Sequence, residues 1–436
     1  MGLTARSGPL GWGHDEEAPM HAQHPGTNWA GNIAYGARTL FTPRSLDEVA
    51  DLVAREPRLR VLGSRHSFNG LADTDGVLLS LAALPQEPVA LIADDVVRVP
   101  AAARHGDVVA ELADLGVALQ NLASLPHISF AGAVATGTHG SGDGIGTLSS
   151  HVEAIDFLGA DGELHRIARG DADFEGHVVH LGALGIVVSL DIRVVPAFDV
   201  AQTVYEGVTW DAALAEFDAL TSLGASVSCF TTWRDVERID QVWVKSRVPA
   251  PAPDLSAFGG RPADGPRHPV PGMDPTPCTR QGGVPGPWYD RLPHFRLGFT
   301  PSASAEIQSE YLLDRADLPA AMAALRRMDR RIARLLHVSE IRTMAADDLW
   351  LSPAYGRDTV GIHLTWRDDA AAVAALLPDI EAALPASARP HWGKVFSMGA
   401  AEVHRRYPRL VEFADLRQSL DPERKFVNDF LAGLGL

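Results

Sequence analysis

The sequence predicts an α+β protein of two domains. Helical and strand patterns alternate through the first half of the chain, as they do in α+β and α/β domains. The composition changes near Pro196, and strands separated by amphipathic helices then predict one large sheet covered by helices on one face. A length of 436 residues is enough for two or three domains with a large buried core. We therefore expect a first domain over 27–197, a second over 198–400 and a C-terminal segment over 401–436.

The first half carries clear helix boundaries. Ser45-Leu-Asp-Glu48 has the form of a capping box and opens a helix, and Gly116 stands where a helix C-cap is expected. The segments expected to be regular are a second helix at 107–115 and strands at 59–62, 77–81, 96–99, 152–158, 164–167 and 186–195.

The second half begins with a strand at Ala201, and the tail 407–436 looks helical. Between 249 and 293 the chain is rich in proline and glycine and has no periodicity, which is typical either of a lid or of an arm that wraps the surface. The regular segments expected here are helices at 210–223, 318–336 and 370–384 and strands at 226–233, 241–245, 306–313, 338–344, 359–366 and 391–396.

Composition excludes several classes of function. A formal net charge of −17 argues against nucleic acid and anionic membranes as partners, and no apolar run is long enough for a membrane span. Two cysteines, Cys229 and Cys278, fit a reducing compartment, so we expect a cytoplasmic protein. A monomer is a separate expectation. Residues 1–26 lack the apolar core of a secretion signal and are expected to form a disordered extension.

A glycine turn with a histidine follows an early strand. The segment reads Arg60-Val-Leu-Gly-Ser-Arg-His-Ser-Phe-Asn69, with His66 at the tip of the turn. Glycine and serine leave backbone N–H groups free to bind phosphate oxygens. The alternative is a polar loop of no special function.

A second passage of small residues runs from Ser124 to Gly142 and contains Ala-Thr-Gly-Thr-His-Gly-Ser-Gly. Such residues let the backbone approach a ligand closely, although a flexible loop has a similar composition. The interleaved Leu, Ile, Phe and Val favour a backbone cradle for a large phosphate-bearing cofactor. Neither passage has the spacing of a Walker A loop or of a Rossmann fingerprint, so nicotinamide in a Rossmann site is disfavoured.

Polar residues alternate along three strands expected in the second half. Glu340 and Arg342 share one face, as do His363 and Thr365, and as Lys394 does with Trp392. If the strands pair, these side chains meet on one surface. That surface is either a solvated sheet face with ion pairs or a site for a polyol or an acid.

Other catalytic signatures are missing. The sequence has no HExxH or related metal spacing and no GxSxG elbow, so we expect no metal and no serine hydrolase. His127, His139 and His391, taken singly, are more typical of structural hydrogen bonding than of catalysis.

The chain resembles the alditol (xylitol) oxidases, FAD enzymes of the vanillyl-alcohol-oxidase superfamily. The resemblance begins at Thr27-Asn-Trp-Ala-Gly-Asn32 and runs almost to the C-terminus. It is carried by LGSRHSFN, NLASLPHIS, ATGTHGSG, SEIRT, WLSPAYGRDTV, RPHWGKVF and LDPERKF, in that order.

This resemblance implies a fold and a set of residues. The fold would be a two-domain flavoprotein of the VAO/PCMH type, with an FAD-binding α+β domain over 27–197, a substrate-binding cap over 198–400 and a tail that returns to the FAD domain. The implied FAD contacts are Val61, Leu62, Gly63, Ser64, Arg65, His66, Ser67, Ser124, Ser129, Gly132, Thr136, Gly137, Thr138, His139, Val187 and His391. The implied polyol site is Ser124, Glu340, Arg342, Thr365 and Lys394, with Arg342, Lys394 and His363 in catalytic roles.

The resemblance also implies that His66 is bonded covalently to the 8α carbon of the flavin. The family often has glycine before this histidine, whereas this chain has Arg65, whose side chain either meets the flavin edge or points outward.

The implied reaction is oxidation of the primary alcohol of a polyol to an aldehyde, with O₂ as the acceptor and hydrogen peroxide as product. The lowered pKa expected of a lysine near an arginine makes Lys394, or else His363, the proton acceptor. Two alternatives stay open: an aldonolactone oxidase or dehydrogenase of the same fold, and a carbohydrate-binding protein without redox activity.

Overall fold

The computed structural model describes residues 22–299 and 306–436. Most of the expected N-terminal extension, 1–26, therefore lies outside the described residues. Its last part is structured, because the first strand, at Ala22–Gln23, pairs with Leu40 and Phe41. Within the described ranges, no helix has the length and apolar character needed to cross a bilayer.

The first half contains two sheets of moderate size and a two-stranded ribbon. Its strands are β1 (Ala22–Gln23), β2 (Thr39–Phe41), β3 (Leu59–Val61), β4 (Val77–Leu79), β5 (Ala90–Ala93), β6 (Val96–Pro100), β7 (Val117–Ala118), β8 (Val152–Leu158), β9 (Leu164–Ala168), β10 (Ile186–Arg193) and β11 (Val195–Pro196). Its helices are α1 (Leu46–Arg55), α2 (His105–Asp114), α3 (Phe130–Ala135) and α4 (Phe174–Val178). The sheet orders are β1-β2-β4-β3, with β4 parallel to both β2 and β3, and the antiparallel β5-β6-β10-β8-β9, while β7 pairs with β11.

The helix caps expected in this half are present. The Ser45 hydroxyl accepts the N–H of Glu48 at 3.2 Å, and Gly116 adopts a φ of 73° just beyond α2. The Glu48 carboxylate reaches back to the N–H of Arg44 rather than to that of Ser45, so the capping box closes one residue earlier than its usual form.

The second half is organised around one antiparallel sheet of nine strands. Its strands are β12 (Asp199–Glu206), β13 (Ser226–Thr231), β14 (Gln241–Arg247), β15 (Arg261–Pro262), β16 (Gly286–Pro287), β17 (Glu306–Asp314), β18 (Leu336–Met344), β19 (Thr359–Arg367) and β20 (Arg389–Pro390). Its helices are α5 (Trp210–Ala215), α6 (Phe217–Thr221), α7 (Leu318–Arg326), α8 (Asp329–Leu335), α9 (Ala370–Ala383), α10 (Ala400–Arg406), α11 (Leu410–Leu420) and α12 (Asp429–Gly433). The order is β15-β12-β14-β13-β18-β19-β17-β20, and β16 also pairs with β12.

Helices cover one face of this large sheet, as the sequence predicted. Ile341, Ile362 and Leu364 point to that face and belong to one hydrophobic core with residues of α7 and α9. The hydroxyl of Tyr311 on β17 donates to Glu381 of α9 at 2.7 Å. The opposite face is therefore left for the first half of the chain.

Two of the expected long helices are each split in two. Glu216 leaves the helical region (φ −135°, ψ 48°) between α5 and α6, and α7 and α8 are separated at Arg327 and Met328. The buried residues on either side, Trp210 and Phe217, keep a helical spacing across the first break. Apolar periodicity alone therefore predicts one continuous helix where the structure has two.

The strand expected at 391–396 is wrong. After β20 the chain makes a turn in which the N–H of Lys394 donates to His391 O at 3.1 Å. The Asn69 side-chain amide donates hydrogen bonds to the carbonyls of Trp392 and Lys394, at 2.8 and 2.7 Å. The backbone N–H of Phe68 donates to the carbonyl of Gly393. These backbone groups bind the loop that follows β3, so they are not available to pair along a strand.

The C-terminal tail packs on the first half. The Asn428 amide donates to the carbonyls of Gly70, Leu71 and Asp73, and the Lys425 ammonium donates to Val53 O at 2.6 Å and Glu56 O at 2.7 Å. The end of the chain therefore lies against α1 and against the loop that follows β3.

Candidate active site

A cavity of about 850 Å³ lies between the loops of the first half and the open face of the large sheet. Every residue implied by the resemblance lines it except one. Those lining it are Val61, Leu62, Gly63, Ser64, Arg65, His66, Ser67, Ser124, Ser129, Gly132, Thr136, Thr138, His139, Val187, Glu340, Arg342, His363, Thr365, His391 and Lys394.

The exception is Gly137, which does not reach the cavity wall. It adopts a φ of 64°, and a Cβ built on it would lie 2.7 Å from the Cδ of Pro353. The glycine is therefore needed for a left-handed turn and for close packing behind the cavity.

Gly63, in the turn after β3, and Gly132, in α3, leave space around one serine hydroxyl. A Cβ on Gly63 would lie 2.7 Å from Ser129 Oγ, and one on Gly132 would lie 2.8 Å from the same oxygen. Ser129 Oγ is buried and has no hydrogen-bond partner among the described residues, although the Ser129 N–H donates to Ser64 Oγ at 3.3 Å. Two glycines thus leave a polar atom exposed to whatever fills this part of the cavity.

Arg65 points away from the cavity at its charged end. Its Nη1 donates to Pro25 O at 2.6 Å and to Thr27 O at 3.0 Å, and its guanidinium lies 5.6 Å from the centre of the Tyr35 ring. The backbone of Arg65 has a φ of 63°, a conformation in which glycine avoids the steric cost of a Cβ. Of the two placements left open by the sequence, the outward one is observed.

His66 is held by its neighbours but keeps one free nitrogen. Its ring stacks on Trp29, with centroids 4.6 Å apart, and its Nδ1 lies 3.3 Å from Ser64 O. Its Nε2 is buried and has no partner within the described ranges. Burial, and then the Lys394 charge, lower the pKa of His66 to about 4, so the ring is neutral at physiological pH and one nitrogen keeps a lone pair.

The polar face of the large sheet is built from three neighbouring strands. Strand register places Glu340, His363 and Glu310 in one row across β18, β19 and β17, and Thr365 beside Gln308 in the next row. Since successive side chains of a strand point to opposite faces, these residues all face the cavity. The predicted shared face of β18 and β19 is confirmed.

Glu310 is the residue that the sequence reasoning missed. It is 2% exposed, and its carboxylate lies 3.1 Å from His139 Nε2, 3.1 Å from Arg342 Nη2 and 3.3 Å from His363 Nδ1. Burial alone would raise its pKa, but His139 and His363 hold the pKa of Glu310 well below its ordinary value. The signal was available, because Glu306, Gln308 and Glu310 alternate along a strand that the sequence did predict.

Arg342 is locked between two carboxylates. Its Nη2 donates to Glu310, its Nε lies 3.5 Å from Glu340 Oε1 and its Nη1 lies 3.4 Å from Ser124 Oγ. Although burial alone would lower the pKa of Arg342, Glu340 and Glu310 together hold it above its ordinary value. This guanidinium is a fixed positive charge at the cavity wall.

Lys394 reaches the cavity from the turn after β20. Its ammonium donates to Gln308 Oε1 and lies 4.7 Å from the centre of the Phe68 ring. Burial lowers the pKa of Lys394 to about 8, against the opposing effect of Glu310. A lowered pKa was expected, but burial rather than the charge of Arg342 is its main cause.

Two further histidines, His391 and His294, complete the surroundings of the site. His391 is 4% exposed, its Nδ1 accepts the N–H of Gly393 at 3.1 Å, and burial lowers its pKa to about 3. His294 follows directly after the long proline-rich segment and lies 2.8 Å from Glu340 Oε1. Residues of the segment 249–293 and the residues just after it therefore form part of the cavity wall.

The residues present fit a flavin dinucleotide. The cavity has the size of a cofactor site. It offers a glycine-lined cradle at Gly63 and Gly132, an unpaired hydroxyl at Ser129 and an unpaired histidine nitrogen at His66. No group of three or more His, Cys, Asp or Glu is arranged to hold a metal ion in the part of the chain that the structure describes.

Comparison with known proteins decides the family. The chain is 47% identical over 412 residues to an alditol oxidase from Streptomyces sp. (strain IKD472), a match that covers 94% of this chain and 98% of the relative. The chain belongs to the alditol oxidase family. The chain is also 27% identical to an L-gulono-1,4-lactone dehydrogenase from Mycobacterium tuberculosis, a match that covers 93% of this chain and 97% of the relative.

Two family descriptions match separate parts of this alditol oxidase family member. Residues 37–168 match an FAD binding domain, and residues 302–434 match D-arabinono-1,4-lactone oxidase. The fold is also that of the cholesterol oxidase from B. sterolicum, with a TM-score of 0.76 and 14% identity over 98% of this chain and 100% of that one. The predicted α+β flavoprotein fold of two domains and the predicted family are confirmed.

Proposed function

We propose that this enzyme oxidises the terminal primary alcohol of alditols such as xylitol and sorbitol to the aldose. The reaction removes a hydride from C1 and a proton from its hydroxyl, and O₂ takes up two electrons and two protons to become hydrogen peroxide. The observation that carries the proposal is the row Glu340, His363 and Glu310, which faces the same cavity as His66. The 47% identity to an alditol oxidase supports it.

FAD, when bound, supplies the hydride acceptor. In this proposal residues 27–197 hold the FAD, residues 198–400 form the substrate-binding cap, and the tail 401–436 fastens to the first domain. Val61 to Ser67, Ser129, Gly132, Thr136, Thr138, His139, Val187 and His391 would contact the cofactor.

The cap would bind the polyol through hydroxyl groups. Glu340, Thr365 and Ser124 offer acceptors and donors to hydroxyls away from the reacting carbon, and Arg342 and Lys394 stabilise the developing alkoxide charge. A site that must satisfy many hydroxyls discriminates strongly against alcohols that lack them. We therefore expect kcat/KM for 1-butanol to lie at least about a thousandfold below that for xylitol; equal values would refute the assignment of the site.

One group must take the hydroxyl proton. Lys394 is suited to this role because burial brings its pKa to about 8, so that a useful fraction is neutral near physiological pH. Glu310 fixes His363 and Arg342 around the reacting hydroxyl through its contacts at 3.3 and 3.1 Å.

We also propose a covalent bond between His66 and the flavin. The support is a neutral ring with an unpaired Nε2, stacked on Trp29 at the glycine turn. Acid denaturation followed by gel electrophoresis tests it: yellow fluorescence should remain with the wild-type polypeptide and disappear in His66→Ala. His105→Gln is a matched control, because His105 is also stacked on an aromatic ring, Phe130, but does not line the cavity.

The decisive test of function is peroxide formation under air with xylitol or sorbitol. The competing function, oxidation of an aldonolactone, is favoured by the match of residues 302–434 to D-arabinono-1,4-lactone oxidase. Turnover of L-gulono-1,4-lactone at a kcat/KM above that for xylitol would establish the competitor, and a colourless protein without either activity would exclude both.

We further propose a monomer in a reducing compartment. Cys229 and Cys278 are both buried free thiols whose pKa burial raises to about 12, which keeps them unreactive. Light scattering on the purified protein measures the mass, and a mass of 46.6 kDa is expected.

A further inference from the structure

A lysine is buried behind the cavity without an acidic partner. Lys245, on β14, is 1% exposed, and its ammonium pairs with no carboxylate among residues 22–299 and 306–436. It donates instead to Leu292 O, to Pro293 O at 3.3 Å and to His294 Nδ1 at 3.2 Å. Burial lowers the pKa of Lys245 to about 7, which reflects the cost of a positive charge at this depth.

The bond to His294 selects one form of the imidazole. The ionised Glu340 carboxylate beside Nε2 can only accept, so the ring proton of His294 sits on Nε2 and Nδ1 accepts the bond from Lys245. Nε2 lies 2.8 Å from Glu340 Oε1 and therefore donates to it. Burial, and then the Lys245 charge, lower the pKa of His294 to about 4, which keeps the ring neutral.

The ring of His294 cannot turn away. Phe230 and Trp243 meet it edge-on, with centroids at 5.5 and 5.4 Å and interplanar angles of 70° and 79°. Its backbone N–H also donates to Ser124 O at 3.2 Å. The hydrogen bond to Glu340 is thus aimed by packing as well as by Lys245.

Glu340 is the last residue of this hydrogen-bonded series, and it lines the cavity. Its Oε1 receives the bond from His294 and lies 3.5 Å from Arg342 Nε, whereas its Oε2 has no hydrogen-bond partner among the described residues. Burial opposes ionisation, but Arg342 and His294 hold the pKa of Glu340 well below its ordinary value. The carboxylate is therefore ionised, with one oxygen fixed and one free to accept a hydroxyl.

We propose that Lys245 and His294 are positioning residues that act through Glu340, keeping its free carboxylate oxygen aimed at a hydroxyl of the polyol. The proposal rests on the proposed alditol oxidase function. It predicts that loss of Lys245 weakens substrate binding and leaves the chemical step largely intact, because Glu340 binds hydroxyls away from the reacting carbon.

The first experiment measures steady-state kinetics with xylitol for Lys245→Met. We expect KM to rise about tenfold, as for one lost charge-assisted hydrogen bond, with kcat within about threefold of wild type. Lys425→Met is the matched control: Lys425 is also a buried lysine that donates to carbonyls, but its carbonyls belong to Val53 and Glu56 and it has no bond to His294. Its KM should stay within about twofold of wild type.

A second pair of variants separates positioning from folding, and decides the matter if Lys245→Met does not fold. His294→Gln places an amide donor near the position of Nε2 and can keep the bond to Glu340, whereas His294→Asn can reach only towards Lys245. Both remove the same ring from between Phe230 and Trp243. We expect the KM of the Gln variant within about threefold of wild type and that of the Asn variant about tenfold higher.

A double-mutant cycle tests whether the effect of Lys245 on substrate binding passes through Glu340. In a Glu340→Gln background, Lys245→Met should change KM by less than about twofold, since its effect passes through the carboxylate. Equal KM values for the Gln and Asn variants, an unchanged KM in Lys245→Met, or full additivity in the cycle would each overturn the inference. If the wild-type enzyme does not turn over xylitol, the proposed function has failed instead, and this is seen before any variant is made.

Discussion

The pH dependence of polyol oxidation should report the titration of Lys394. This ammonium lies at the cavity wall beside Gln308 and Phe68, and burial brings its pKa to about 8. Only neutral Lys394 can accept the hydroxyl proton. Its neutral fraction is about one tenth at pH 7 and about nine tenths at pH 9, so kcat/KM should rise about tenfold over this range.

The assay is peroxide formation from xylitol at low substrate concentration between pH 6 and 10. Log kcat/KM should climb with a slope near one and level off above about pH 8. Lys394→Arg keeps a positive charge that does not titrate in this range, so its residual activity should lose the rise. Lys245→Met is the control for the other buried lysine whose pKa is lowered, to about 7, and should keep the rise.

Two results would refute this reasoning. A wild-type profile that is flat from pH 6.5 to 9.5 means that no group with a pKa near 8 controls the reaction. A rise centred near the ordinary pKa of histidine, about 6.5, that survives in Lys394→Arg assigns the proton to His363 instead.

Three further outcomes follow from the structure. Arg60 is 4% exposed and donates to the carbonyls of four residues in three segments. Arg60→Met should therefore lower the free energy of unfolding by about 3 kcal/mol or more. A urea titration that shows a loss below about 1 kcal/mol would contradict this. Burial raises the pKa of Asp347 to about 6, so protonation of this acid favours the folded state. The free energy of unfolding should therefore fall by about 1–3 kcal/mol as pH rises from below 4 through 6. Asp347→Asn should flatten this pH dependence in unfolding titrations at pH 4 and 7, and an unchanged dependence would contradict the prediction. Arg65→Gly should keep the flavin bond on an acid gel, because the guanidinium binds carbonyls outside the cavity; a marked change in the bound fraction would mean that Arg65 acts on the flavin.

Much of the fold could be predicted from the sequence because the residue patterns that specify its helices and strands are local. Period-two alternation predicted β18 and β19 together with their polar face, and Ser45 and Gly116 predicted helix ends. The same locality explains the errors. The break at Glu216 preserves the apolar spacing, and the residues 391–396 alternate like a strand although their backbone groups bind Asn69.

The glycine turn after β3 shows which features the sequence predicts and which features depend on the tertiary structure. Its composition indicated a backbone cradle, and the structure shows that Gly63 and Gly132 leave room around one serine oxygen. Whether the side chain of Arg65 pointed into the cavity depended on carbonyls at Pro25 and Thr27, about forty residues earlier in the chain. No spacing rule within the turn contains that information.

The sequence by itself determined the fold class and the family, and through the family resemblance it named many of the polar residues that line the cavity, because each follows from a short pattern of residue types. Only the tertiary structure decided that Glu310 joins His139, His363 and Arg342, and that Lys245 stands behind Glu340. These groups come together through strand register and through contacts between distant segments. A carboxylate on a strand looks the same in sequence whether it faces water or lies buried between two histidines and an arginine, since burial and neighbouring groups exist only after the chain has folded.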